Sequence, residues 1–320
     1  MRAGATQALM AASLALAAFG ASAAADTAVP LKALVSGTAH EALFAIAIDG
    51  KLGVAVGAAG QIMESADAGG NWKAAAPLTE MSLLGVALNR ERAVAVGQQG
   101  LVLVRPQGKT WSKADSGSTN RLFAVRINAK GQALAVGAFG TVLKSDDGGE
   151  HWRSIAPQWI SIMEQGEEPH LYDAEIDDQG VLTIAGEFGL ILRSSDGGTT
   201  WKKLHKGEAS LFAFQIRSDG VGYAVGQSGA FLRTVDHGET WSEQPSGSAA
   251  ILLGVSSVSA GHVVVTGMHD MLVSDDDGKT WRHVADPEVT TSWYQGVASD
   301  AAGVSALVVG HAGQIVRVGK

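Results

Sequence analysis

The sequence predicts an all-β fold, a seven-bladed β-propeller of four-stranded antiparallel blades. Three observations carry that expectation. A Val-Gly or equivalent pair closes an apolar run seven times, at Gly57, Gly97, Gly137, Gly186, Gly226, Gly267 and Gly310. Six of the seven units then reach a tryptophan: Trp72, Trp111, Trp152, Trp201, Trp241 and Trp281. The spacing stays near 40 residues, apart from one interval of 49 between the third and fourth units. Self-similarity at such a period marks a repeat architecture, in which each unit buries its faces against its neighbours. A chain of 320 residues can then form one body without one oversized core.

The third unit shows how each repeat divides. Residues 122–127 alternate and read as a strand, 128–131 as a turn, and 133–136 as a second strand. Residues 137–140 make a tight connection, 141–144 a third strand and 145–150 a polar turn, after which Trp152 opens a fourth strand. Four strands of about five or six residues with four short turns fill the period. No unit holds the helical periodicity that a strand–helix–strand crossover requires. A β-solenoid is the rival, but its coils are shorter and need no hairpin turns. The seventh unit runs through 293–297, 306–309 and 314–318 and stops one strand short. The apolar segment 30–35 supplies the missing strand and ties the last blade to the first. Such closure removes the exposed edges that invite aggregation.

The chain divides into a leader, 1–25, and the propeller, 26–320. Arg2 precedes an apolar stretch over 8–19, and the small-residue run 21–25 ends at Asp26. That is the pattern of a cleavable secretory signal, and its apolar part is too short to span a bilayer well. The expected location is therefore periplasmic or secreted, without membrane insertion. The chain has no cysteine, which excludes a lipoprotein anchor, disulfides, a thiol nucleophile and a cysteine–metal site. With 24 basic and 32 acidic residues the net charge is −8, which argues against nucleic acid or anionic lipid as a main partner.

The polar turn has a fixed chemistry. It reads Ser65-x-Asp67-x-Gly69-x-Asn71-Trp72, and returns around Asp147, Asp196, Asp236 and Asp276, with a degenerate copy at Val104-x-Pro106-x-Gly108-x-Thr110-Trp111. A short carboxylate can accept the backbone N–H groups of its own turn, and glycine tolerates positive φ. The tryptophan then serves as an apolar anchor between blades. These aspartates read as structural. The octads resemble the Asp-box, or bacterial neuraminidase repeat. Together with the Val-Gly-x-x-Gly hairpins, the whole mature chain resembles the photosystem II stability/assembly factor-like propellers of bacteria. The resemblance implies a seven-bladed propeller that binds protein. Photosynthetic members are associated with an arginine-rich surface, whereas here the arginines are scattered and the net charge is negative.

The function expected is a non-enzymatic, monomeric scaffold or assembly factor for an envelope or membrane protein complex, with no cofactor and no bound metal. In a propeller, the links between blades share one side with the turns between second and third strands. The long interval falls in one such link, 157–170, and carries Trp159, Ile160 and Met163 beside Glu164, Glu167 and Glu168. The turns on that side add Phe139, Phe188, Met268 and His269, and the adjoining first strands add Arg121, Tyr172 and Trp293. Apolar groups beside acids on exposed loops suit a protein-binding spot. The alternative is a glycoside hydrolase of carbohydrate-active or sialidase type. It would draw on Tyr172, Tyr223 or Tyr294, on Arg121 and Arg126, or on two of Glu41, Glu80, Glu164, Glu167, Glu168 and Glu187. His269, Asp270 and His311 fall in equivalent turns, where polar turn residues are the simpler reading than metal ligands.

Overall fold

Short apolar runs broken by glycine and polar turns must pair side by side to satisfy their backbone groups. The computed structural model describes residues 29–319, and in it these runs form seven four-stranded antiparallel sheets. The leader read over 1–25 lies outside the described residues. The innermost strands are Leu43–Asp49, Leu83–Asn89, Leu122–Ile127, Leu171–Ile176, Leu211–Ile216, Leu252–Ser259 and Tyr294–Ser299. Each opens one blade, blade 1 to blade 7 in that order.

Burial follows from stacking blades face to face. The second strands, such as Ala133–Gly137 and Leu182–Gly186, are buried along their whole length because a neighbouring blade covers each face. Their sequences are accordingly continuous apolar runs rather than alternating ones. The core is divided into seven apolar clusters, one for each junction between adjacent blades. One of them packs Leu43, Ile46 and Ala55 of blade 1 against Leu307, Val309 and Ile315 of blade 7, which closes the ring. The final blade has the order Leu31–Val35, Ile315–Val318, Ala306–Gly310, Tyr294–Ser299, with Leu31 opposite Val318 and Lys32 opposite Arg317. The N-terminal segment thus fills the vacancy at the end of the chain, as the repeat count predicts.

Two details differ from the sequence reading. The outer strands of blades 1 to 6 pair over only two to four residues, not five or six. They have a partner on one side only, and the chain must leave the rim early to reach the next inner strand. A five-residue helix, Pro287–Thr291, also interrupts the link between blades 6 and 7. Pro287 fits the first turn, and the Asp286 side chain caps it by accepting the Glu288 N–H at 2.8 Å. Among the described residues no helix is long and apolar enough to cross a membrane.

Candidate partner-binding face and central channel

The disc has two unlike ends. At one end, the turns between second and third strands meet the links between blades. Ala58 N donates to Ala42 O at 2.9 Å, and His269 N to Ser292 O at 2.8 Å. At the other end, the turns between first and second strands meet the Ser-x-Asp turns. There Arg92 Nη1 donates to Asp147 O at 2.9 Å.

The Ser-x-Asp turns are satisfied internally. In blade 3, Ser145 Oγ donates to Asp147 Oδ1 at 2.8 Å and accepts the buried Gly149 N–H at 2.8 Å. Asp147 Oδ1 also accepts the His151 N–H at 3.0 Å, and the Trp152 indole donates to Gly149 O at 2.8 Å. The serine-to-aspartate and serine-to-glycine bonds recur in blades 1 and 4, in blade 5 with Thr234, and in blade 6. Donation by the side chains of Asn71, Thr200 and Thr240 holds Asp67, Asp196 and Asp236 at about 2. At Asp147 and Asp276 burial pushes upward, but donors from His151 and Thr280 still bring the carboxyls to about 2. In the degenerate second blade, which has no aspartate, the Trp111 indole donates instead to Glu64 Oε1 of blade 1 at 2.8 Å.

The opposite end carries the exposed apolar surface. Leu78, Phe139, Ile160, Phe188, Ile251 and Met268 are exposed there, against Val235 and Val304 at the Ser-x-Asp end. In all seven blades, the middle residue of the turn at this end has positive φ and is not glycine: Ala59, Gln99, Phe139, Phe188, Ser228, His269 and Ala312. Positive φ is unfavourable for bulky side chains, so Phe139 (φ 52°) and Phe188 (φ 58°) are held out from the turn at a cost.

Inside this end lies a collar of which sequence reasoning named only Tyr172. Each innermost strand has a bulge at its second residue. A bulge re-aims the side chain of the extra residue. The seven residues so placed are Phe44, Leu84, Phe123, Tyr172, Phe212, Leu253 and Gln295, and all line the mouth of the central channel. Phe123 lies 5.4 Å from Tyr172, and Tyr172 lies 4.9 Å from Phe212, between ring centroids. Phe44 stacks on Trp293 at 6.0 Å. The signal was present in the sequence, since these residues share one repeat position; what was missing was the bulge that turns them toward the axis.

The residues singled out from sequence separate into groups. Phe139 is 61% exposed and joins the collar through His170, 5.1 Å from its ring and 6.1 Å from that of Phe123. Met268 pairs with Trp293 in a β-bridge, which brings both beside Phe44. Phe188, His269 and Arg121 are exposed on the same end, and Arg121 forms no ion pair among the described residues. Trp159 and Met163 do not present the exposed apolar group expected of their link. Trp159 is 7% exposed, and both pack into the junction between blades 3 and 4. The indole donates to Gly140 O at 3.3 Å, and a Cβ on Gly140 would fall 2.1 Å from Trp159 Nε1. Burying two large apolar side chains outweighs displaying them, and of the three apolar residues named in the link only Ile160, 70% exposed, faces outward.

Several of the residues considered for hydrolysis have other engagements. Burial, with Glu187 alongside at 3.5 Å, pushes the Tyr172 phenol up to about 12, away from nucleophilic character. Arg126 is bound to Asp173 at 2.7 Å. Tyr223 is fully buried and donates to Asp277. Asp270 accepts from Ser248 and faces His283, while His311 faces Glu288 at 2.9 Å.

Below the collar, the wall of the channel breaks the repeat. Asp173 occupies a position held elsewhere by Ala45, Gly85, Ala124, Ala213, Gly254 and Gly296. Inner strands crowd there: a Cβ on Gly85 would lie 2.8 Å from Ala124 Cα. Two residues further on, Arg126, Glu175 and Gln215 stand in blades 3 to 5 where blades 1, 2 and 7 have Ala47, Ala87 and Ala298. The Asp173 carboxylate links three blades by accepting from Arg126, from Phe214 N at 3.0 Å and from Ala174 N at 2.9 Å.

Fold and site together define a closed seven-bladed β-propeller with one apolar end. No family model matches the chain, and no curated protein matches it in sequence. Solved structures do match. YCF48 bound to D1 peptide is 17% identical, with a TM-score of 0.72 over 91% of this chain and 97% of that one. YCF48 from Cyanidioschyzon merolae is 19% identical, with a TM-score of 0.71 over 92% and 99%. U3-55K is 9% identical, with a TM-score of 0.73 over 91% and 98%. At such identities the likeness is one of fold.

Proposed function

We propose that the chain is a non-enzymatic scaffold or assembly factor that docks a protein partner on its apolar end. The observation that carries this reading is the concentration there of six exposed large apolar residues around the aromatic collar. Exposed apolar patches rimmed by polar residues are characteristic of protein-binding surfaces. Glu80, Glu164, Glu167 and Glu168 are exposed on the same end. A partner segment with apolar side chains and a basic flank therefore fits best. A D1 peptide on YCF48 is a precedent for peptide binding on this fold. We infer a periplasmic location from the secretory pattern of the leader, and propose that the protein acts there as a monomer with an envelope or membrane complex as partner.

The test is capture from detergent-solubilised envelope with tagged wild type, with Phe139→Ala and Phe188→Ala, and with Asn71→Ala and Thr240→Ala at the Ser-x-Asp end. The reading expects the two phenylalanine variants to lose a defined partner and the other two to retain it. The reverse pattern means that the wrong end has been chosen. N-terminal sequencing of the native protein tests the location, and an intact Met1 on membrane-bound material overturns it.

A further inference from the structure

The polar patch in the channel leaves one group unmatched. Arg126 donates to Asp173 and to Val125 O at 3.1 Å. Arg193, the other guanidinium acting on Glu175, donates to Thr183 Oγ1 at 3.3 Å, to Glu239 Oε1 at 2.7 Å and to His237 O. Gln215 Oε1 accepts the Ser257 N–H at 2.6 Å. Glu175 is left over. Its Oε2 is shut off from solvent and has no hydrogen-bond partner. The Glu175 side chain borders a cavity of about 390 Å³ whose other walls include Arg126 as well as Ile46, Val86, Phe214, Val255 and Val297. A buried carboxylate is unfavourable unless a counter-charge or donors meet it; Arg126 and Arg193 act on Glu175 through space, but their hydrogen bonds go elsewhere.

We propose that this stretch of the channel binds an organic ammonium group, with Glu175 as its counter-ion and the apolar stem against Phe214 and Val255. A compact ammonium needs one carboxylate oxygen, whereas a guanidinium fork uses two in a plane. A single carboxylate is too few ligands for a metal, and no three His, Cys, Asp or Glu converge among the described residues. The site stands on the channel wall alone and does not depend on the docking face.

Binding has a pH signature. Burial pushes the Glu175 carboxyl up to about 7; Arg126 opposes this, Asp173 adds to it, and Arg193 and Asp177 act in the same two senses. His237 and Glu239 line the crevice beyond Arg193. An ammonium ion therefore displaces a proton from Glu175 at lower pH. Its affinity rises with pH up to about 7 and levels off above.

The experiment is an NMR titration of the full chain with n-butylammonium, and with 1-butanol as the uncharged counterpart of the same length. Wild type is expected to prefer n-butylammonium by about tenfold at pH 8, the scale of one charge-assisted hydrogen bond. Glu175→Gln is expected to abolish that preference. Equal binding of the two probes by wild type, or a preference that survives Glu175→Gln, overturns the site. A preference that does not weaken between pH 7 and pH 5 also overturns it. Nα-acetyl-lysine methylamide carries the same head group on a peptide. Tighter binding than n-butylammonium assigns the site to a lysine side chain of a protein partner, and weaker binding assigns it to a free amine.

Discussion

The two ends of the disc are built from the same repeat and have opposite characters. At the Ser-x-Asp end, five turns repeat the same hydroxyl, carboxylate and glycine, and in each the hydroxyl donates to the carboxylate of its own turn. At the other end the geometry repeats but the residues do not. The same positive-φ position is Ala59, Gln99, Phe139, Phe188, Ser228, His269 and Ala312, and the same bulge carries aromatic, aliphatic or amide side chains. Where residue identity repeats, it serves the scaffold. Where geometry repeats and identity varies, the side chains are free to serve recognition.

The largest expected effect probes the link that crosses from one role to the other. Trp159→Ala removes an indole from the junction of blades 3 and 4 and should cost about 3–5 kcal/mol in urea denaturation. The same change at Phe139 should leave stability within about 0.5 kcal/mol. If the two cost the same, the division between buried anchor and displayed side chain fails.

Glu175→Gln tests the channel wall. The folded carboxyl, at about 7, lies above its ordinary 4.5, so the folded state binds the proton more tightly than the unfolded one. Stability then falls as pH rises from about 4.5 to 7 and stays low above. Glu175→Gln should match wild type at pH 4.5 and exceed it by about 3 kcal/mol at pH 8. Parallel stability curves for the two proteins would show that Glu175 already has a counter-charge.

Ser145→Ala sharpens the account of the repeated turns. It leaves the buried Gly149 N–H without its 2.8 Å acceptor and should cost about 1–3 kcal/mol. Asp147 accepts more bonds but is half open to water, so Asp147→Ala should lower the melting temperature by less. The smallest effect is a gain. Phe139→Gly relieves a bulky residue from positive φ and should stabilise by up to about 1 kcal/mol. Capture of the partner should weaken in the same variant, which separates display from stability.

Sequence alone determined the blade count, the strand order within each blade and the closing role of Leu31–Val35, because a period of glycine and tryptophan is a local signal that pairing simply obeys. It also marked the Ser-x-Asp turns, whose bonds run between residues two to four apart. Only the tertiary structure decided what reached the axis. The bulge that turns Phe44, Phe123 and Phe212 into a collar exists only once the first strand pairs with the second. The inward turn of Trp159 needed the space between two blades. The meeting of Arg126, Asp173, Glu175 and Gln215 joins residues up to 89 positions apart in the sequence. The stacking of blades 3, 4 and 5, which no local pattern encodes, brings them to one wall.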